Sequence, residues 1–232
     1  MKLNDRLEKL IELTDPCESI ADIGTDHGYV PVELIKRKKV KLAIASDINP
    51  QPLQKAVTLA NQQEVFHQIE FRLGDGLKVL KPGEVTGVII AGMGGEMIKQ
   101  IIIEAPLAVE QLRFMVLQPA QNPEVLREYI YNGHYTIISE NLVRDEDGRF
   151  YEYFKVRYNP DVLGFSHKPM DYELSPVLIH HKDPLIRDFV INKIKELDHI
   201  KAKLDLRYAS SREKAAELDQ KLTYYDEVLK WL

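Results

Sequence analysis

Short apolar runs and helix-patterned segments alternate along the first half of this chain, and that alternation leaves few folds open. Residues 19–23, 41–46, 69–73, 85–91 and 113–117 are brief, mostly apolar segments, each running into glycine, aspartate or proline. These are the marks of buried strands. Helical spacing appears at 3–13, where Leu3, Leu7, Leu10 and Ile11 share a face before Thr14-Asp15-Pro16 stops the helix. It returns at 30–37, from Pro50 to about Gln62, and at 123–132. Pro50 and Pro52 sit in a first helical turn, where N–H groups have no helical partner and proline is tolerated. Strand and helix in turn predict right-handed crossovers and a mostly parallel sheet covered on both faces, a doubly wound α/β fold.

The rhythm changes after residue 132. Residues 135–143 and 150–157 are two β-rich runs joined by a polar turn, 144–149, that contains Asp147-Gly148. No helix fits between them, so they are expected to form an antiparallel hairpin at the end of the sheet. A parallel sheet finished by an antiparallel strand is the outline of the Rossmann-like class I methyltransferase fold. Residues 159–183 read as a connector punctuated by Pro160, Pro169 and Pro176. Beyond it, Ala215, Leu218, Leu222, Tyr225, Leu229 and Leu232 recur at steps of three and four, the seam of a coiled coil. Val190, Ile194, Leu197 and Leu204 give a similar seam, interrupted by Lys201. Two helices joined near 208–212 are expected to pair antiparallel. The expected domains are 1–159, the sheet domain, and 160–232, connector and coiled coil, the latter either packed on the sheet domain or projecting as an arm.

Composition narrows the function classes. The 232 residues include one cysteine, Cys17, which excludes an internal disulfide and a thiolate metal cluster. The N-terminal segment alternates charges with leucines, and no apolar run approaches the roughly 20 residues of a membrane span. A cytoplasmic chain without membrane association is expected, its oligomeric state open with a monomer favoured. The net charge of −5 argues against a strongly basic nucleic-acid binder, although a local stripe can act where the sum hides it. Residues 182–214 hold nine Lys/Arg against six Asp/Glu, and Lys36-Arg37-Lys38-Lys39 adds a second basic cluster. Each suits either RNA contact or a solvated helix face. His180-His181 with Asp183 invites a metal reading, but adjacent histidines do not easily share one tetrahedral ion, so no metal is expected.

The sharpest local signal is Asp22-Ile23-Gly24-Thr25-Asp26-His27-Gly28, between a strand and a helix. Glycine there lets backbone approach a ligand, and the helix N-terminus offers free N–H groups. A dinucleotide site would want G-x-G-x-x-G for its pyrophosphate. Here Asp26 stands at the second glycine and Asp22 precedes the first, so two carboxylates would repel a pyrophosphate. They suit a ligand bearing a sulfonium and an ammonium group, as S-adenosylmethionine does. Asp47, with Ile48 after it, closes the second strand, where an acid can accept from both ribose hydroxyls. Asp75-Gly76 closes the third, where the carboxylate can accept from an adenine amino group and Gly76 can donate from its backbone. Gly92-Met93 closes the fourth. Together these strand ends outline a ligand crevice.

These segments carry a resemblance. Ala21-Asp22-Ile23-Gly24-Thr25-Asp26-His27-Gly28-Tyr29-Val30-Pro31, Ser46-Asp47-Ile48-Asn49, Gly74-Asp75-Gly76-Leu77, Ile90-Ala91-Gly92-Met93-Gly94-Gly95 and Leu117-Gln118-Pro119 are similar to the bacterial tRNA (adenine-22-N1)-methyltransferase family. The resemblance runs end to end and implies a Rossmann-like core followed by a coiled-coil domain. It also implies S-adenosylmethionine as methyl donor and N1 of adenine 22 in tRNA as acceptor. A methyltransferase for a small molecule or protein, and a non-catalytic cofactor-binding adaptor, are the competing classes.

Attack by N1 uses an in-plane lone pair on a neutral ring, so no base is needed. The work is alignment, exclusion of water and stabilisation of charge as it moves onto the adenine. The Asn/Asp-Pro-Pro-Tyr/Phe segment of many amino-group methyltransferases is replaced by Ala91-Gly92-Met93-Gly94, which fits a ring nitrogen better. Asp26 is the first candidate partner of the target base, with cofactor contact or helix capping as its plainer role. Tyr29 is placed to stack on the base or simply to pack. His27 reads as a cofactor neighbour or a helix-start residue.

Overall fold

The computed structural model describes residues 3–164 and 169–232; residues 165–168 of the expected connector lie outside that description. The strands are β1 (Cys17–Ile23), β2 (Val40–Asp47), β3 (Ile69–Leu73), β4 (Gly87–Gly94), β5 (Phe114–Gln121), β6 (Tyr135–Arg144) and β7 (Phe150–Tyr158). The α-helices of the sheet domain are α1 (Asp5–Leu13), α2 (Tyr29–Lys36), α3 (Pro50–Gln62), α4 (Gly95–Ile103), α5 (Pro106–Val109) and α6 (Pro123–Asn132). By contacts the chain divides into two compact units, Met1–Ser166 and His167–Leu232.

In the first unit all seven strands form one sheet, ordered β3-β2-β1-β4-β5-β7-β6. β1 to β5 pair in parallel, while β7 runs antiparallel between β5 and β6. This is the expected Rossmann-like sheet with its antiparallel terminal hairpin. Both faces are covered. Ile20, Ala43, Ala45, Ile89, Val116 and Tyr153 join helix residues such as Leu10, Ile11 and Leu34 in one core. The alternate residues Val88, Ile90, Met115 and Leu117 are buried just as fully, as strands shielded on both sides require.

Two details depart from expectation. Gly92 and Met93 do not close β4; the strand continues to Gly94 through register shifts at Met93, the kind of bulge that re-aims a strand beside a site. Gln118-Pro119 does not stop β5, which runs to Gln121. The pairing of β7 with β5 ends at Leu117, so Pro119 lies where β5 has a ladder on one side only. The step from β3 to β4 carries no α-helix, only a single 3₁₀ turn over Gly76–Val79.

The hairpin is clamped from below by charge. Arg127 of α6 is fully buried, ion-paired to Glu140 of β6 and Glu152 of β7, with its guanidinium 5.0 Å from the centre of the Phe154 ring. Tyr131, one turn further along α6, also donates to Glu140.

The second unit contains a 3₁₀ turn at Pro169–Tyr172, α7 (Pro176–His180), α8 (Ile186–Ala202) and α9 (Ala209–Trp231). Part of the expected connector is thus ordered: Ser175 caps α7 through its hydroxyl, and Tyr172, Leu174 and Leu178 are buried. Arg187 near the start of α8 reaches the Leu229 carbonyl near the end of α9, and Lys201 pairs with Asp219. The two helices therefore form an antiparallel hairpin, with Val190, Ala215, Leu218 and Tyr225 of the expected seams buried. No helix among the described residues is long and apolar enough to cross a membrane.

Replacing Arg127 with Met is expected to destabilise the chain by about 3–5 kcal/mol, because two buried carboxylates lose their cation. Urea unfolding measures it; a midpoint within error of wild type would show that the clamp contributes nothing.

Candidate functional site

The site is assembled where the chain leaves the sheet in opposite directions. β1 is flanked by β2 on one side and β4 on the other, so its carboxyl end opens a crevice between diverging connections. Gly24 takes a left-handed turn there (φ +75°), and the N–H groups of Gly24 and Thr25 both donate to the Ser46 carbonyl of β2, at 2.8 and 2.9 Å. A side chain on Gly24 would run into the Met93 methyl. Gly28 (φ +74°) has a different constraint: a methyl there would sit 2.7 Å from Cβ of Ala56, so its bareness lets α2 start against α3.

Two adjoining hollows result. One, of about 290 Å³, is lined by the ends of β2 and β3 and by α4, including Asp47, Asp75, Gly76, Met97 and Ile101. The other, of about 600 Å³, is lined by the β1 turn and α1, including Arg6, Asp22, Asp26, His27, Tyr29 and Gly92. Gly24, Asp47, Ile48 and Met93 belong to both and form the shared rim. Of the candidates read from sequence, Gly28 alone lines neither hollow. Among the described residues, no group of three or more His, Cys, Asp or Glu is placed to hold a metal ion.

The carboxylates differ sharply in environment. Asp22 is buried, and its Oδ2 accepts from the Thr25 hydroxyl at 2.7 Å. Burial pushes its pKa up to about 6 against the Thr25 hydrogen bond, with the charges of Asp47 and Asp26 adding to the rise. A cationic group arriving there would relieve that cost. Asp26 is 71% exposed at the mouth, in a left-handed conformation (φ +48°), 2.8 Å from Nδ1 of His27. His27 in turn stacks on Tyr29, ring centres 5.3 Å apart and nearly coplanar in orientation (11°). These three residues make one wall of the larger hollow. Asp47 is held by the Asn49 N–H on Oδ1 at 2.8 Å, and Asp75 by Lys78 at 2.8 Å, with Lys78 also reaching Glu104.

Sequence reasoning missed Arg6. Among the described residues it is the one lysine or arginine lining either hollow. Its Nη1 donates to Oε1 of the fully buried Gln118 at 3.3 Å, its guanidinium lies 5.9 Å from the centre of the Tyr151 ring, and its carbonyl accepts from the Tyr153 hydroxyl. Gln118 also donates to the Pro119 carbonyl. The segment Leu117-Gln118-Pro119 was the available signal; nothing local to α1 marks Arg6. Thr25, the partner of Asp22, was likewise legible only as part of its motif.

A doubly wound sheet with an antiparallel last strand, its strand-end acids gathered round a hollow, defines a Rossmann-like methyltransferase. Residues 3–154 match the methyltransferase-domain family, and the chain belongs to it. It is similar to the tRNA (adenine(22)-N(1))-methyltransferase of Bacillus subtilis (strain 168), 34% identical over 152 residues. That match takes in 66% of this chain and 63% of that protein, a little under two thirds of its length. Among solved structures, the B. subtilis m1A22 tRNA methyltransferase TrmK superposes with a TM-score of 0.82 at 27% identity, covering 98% of this chain and 99% of that one. Streptococcus pneumoniae Sp1610 in complex with S-adenosyl-L-methionine superposes with a TM-score of 0.85 at 26% identity, over 98% and 100% of the two chains. The family resemblance read from the motifs is borne out.

The raised pKa of Asp22 has a definite sign in stability. Between about pH 4 and pH 6 the folded chain keeps a proton that the unfolded chain has released, so this group's contribution to stability falls as pH rises through that window. Asp22→Asn is therefore expected to stabilise the ligand-free chain at pH 7.5 by on the order of 1–3 kcal/mol, and by less at pH 4.5. Urea unfolding of both chains at both pH values tests it; a difference that does not grow with pH would refute the burial account.

Proposed function

We propose that this chain transfers a methyl group from S-adenosylmethionine to N1 of adenine 22 in tRNA. The observation that carries the reading is the buried Asp22 beside the Gly24 turn, facing a crevice whose other strand ends present Asp47 and Asp75. An anionic ligand would be repelled by a buried carboxylate, whereas an ammonium is drawn to it and relieves the cost of its burial. Arg6 supplies the opposite charge in the same hollow, so the two suit the two ends of an amino-acid group. Asp47 accepts from ribose hydroxyls, while Asp75 and the Gly76 N–H face the adenine edge. The names of the relatives supply the acceptor.

S-adenosylmethionine, when bound, supplies an electrophilic methyl on a sulfonium. The chain's own residues then bind, orient and shield. N1 attacks with a free lone pair, so no side chain is asked to remove a proton first. The stacked His27–Tyr29 wall offers a flat surface for the target base, and Asp26 at the mouth can accept from its amino group as positive charge moves onto the ring. Met93, Ile48 and the Gly92 bulge exclude water from the transfer path. Phosphates are met by exposed cations of the second unit such as Lys195 and Lys203, whereas Lys201 is already paired with Asp219. The enzyme acts as a cytoplasmic monomer on this reading.

The test is incubation with labelled S-adenosylmethionine and unmodified tRNAs, followed by mapping of the modified nucleotide. Label at N1 of adenine 22 is expected. Asp47→Ala and Asp75→Ala should each weaken cofactor binding by about 1–3 kcal/mol in calorimetry, with the fold kept. Asp26→Asn should retain most cofactor affinity yet lower turnover more than about tenfold. Label elsewhere, or wild-type affinity in both alanine variants, would remove the assignment.

A further inference from the structure

The second unit holds a cavity of about 450 Å³ that the reaction above does not use. It lies among the 3₁₀ turn, α7 and α9. Trp231, Tyr224 and His180 line it with rings, Ile179 with an aliphatic side chain, and Asp171 and Glu227 with carboxylates. Trp231 is 57% exposed, a large indole kept at the surface. The Lys182 ammonium lies 5.9 Å from the centre of that indole, so the rim also carries a positive charge. His180, which the sequence set beside His181 and Asp183 as a doubtful metal group, belongs to this aromatic lining instead.

The chemistry of the lining selects its ligand. Rings on the walls take a flat aromatic group, as single-stranded bases are taken by aromatic side chains. The Glu227 carboxylate accepts and does not donate, so the edge presented to it must offer adjacent N–H groups. Guanine does so through N1–H and its 2-amino group. Adenine and cytosine set one amino group beside a ring acceptor that a carboxylate repels. Uracil flanks its single N–H with two carbonyl oxygens. A phosphate attached to the base would be drawn to Lys182.

We propose that this cavity binds an unpaired guanine nucleotide, its base against Trp231 and Tyr224 and its Watson–Crick edge on the Glu227 carboxylate. This rests on the tRNA reading for the source of the guanine, and it makes the second unit a reader of one exposed base as well as a holder of backbone. The contribution is to selecting the RNA, apart from the methyl-transfer step.

Trp231 is the only tryptophan in the chain, so its fluorescence reports on this cavity alone. The full-length protein is titrated with GMP, AMP, CMP, UMP and, as a cationic competitor, acetyl-arginine amide. GMP is expected to change the emission saturably, at concentrations at least about tenfold lower than any other probe, and Glu227→Gln should lose at least about tenfold of that affinity. Trp231→Ala should raise the KM for tRNA severalfold while calorimetry shows unchanged cofactor affinity. Equal responses to all four nucleotides, no response, or preference for the arginine amide would overturn the proposal, the last marking a site for a basic side chain of a protein. Should wild-type protein leave tRNA unmethylated while GMP still binds selectively, the tRNA reading falls and the guanine site stands.

Discussion

Asp22 sits at the carboxyl end of β1, where the chain departs to either side of the sheet, and its largely buried carboxylate accepts from the Thr25 hydroxyl at the wall of the larger hollow. An isolated buried charge is costly, and one hydroxyl does not offset that cost. Its environment keeps the group short of a partner while holding it in place: Gly24 and Thr25 are tied to the Ser46 carbonyl, and Gly28 lets α2 begin close against α3. Stability is given up locally so that a cationic ligand can restore it. The other strand-end acids are already engaged, Asp47 by a backbone N–H and Asp75 by Lys78, and each keeps its aim without comparable strain.

The far half of the sheet serves the near half. Arg127 draws β6, β7 and α6 together, and β7 is thereby seated against β5. That seating matters at the crevice because Tyr151 and Tyr153 of β7 hold Arg6, by a ring contact and by a hydrogen bond to its carbonyl. Gln118, buried at the end of β5, supports the same guanidinium. The positive charge in the larger hollow is thus positioned by strands that line neither hollow themselves.

Much of this was open to reading from residue order. Strand residues shielded on both faces come as largely apolar runs, so β1 and β2 could be placed nearly to the residue. The hairpin was legible because the polar 144–149 turn is too short for a helix. The strand-end acids were legible because carboxylates directly after such runs have few structural reasons to be there. The limits of β4 and β5 were misread for one reason: glycine and proline usually end strands, and only the one-sided pairing of β5 and the bulge of β4 explain why they do not here. α7 was read as connector because five residues are too few to show a period.

What the sequence by itself determined is the doubly wound class, the hairpin finish, the helical tail and the set of strand-end residues. Each follows from local periodicity or from a group's position relative to its own strand. Tertiary structure alone decided that Asp22 is buried while Asp26, four residues on, stands in solvent, since burial depends on what packs around a turn. It alone decided that Arg6 faces the crevice, because its supports come from residues 118, 151 and 153, more than a hundred positions away. It alone gathered Asp171, His180, Tyr224, Glu227 and Trp231 round one cavity, through the folding back of α9 along α8. Periodicity specifies which face a residue takes; only the completed packing specifies what it meets there.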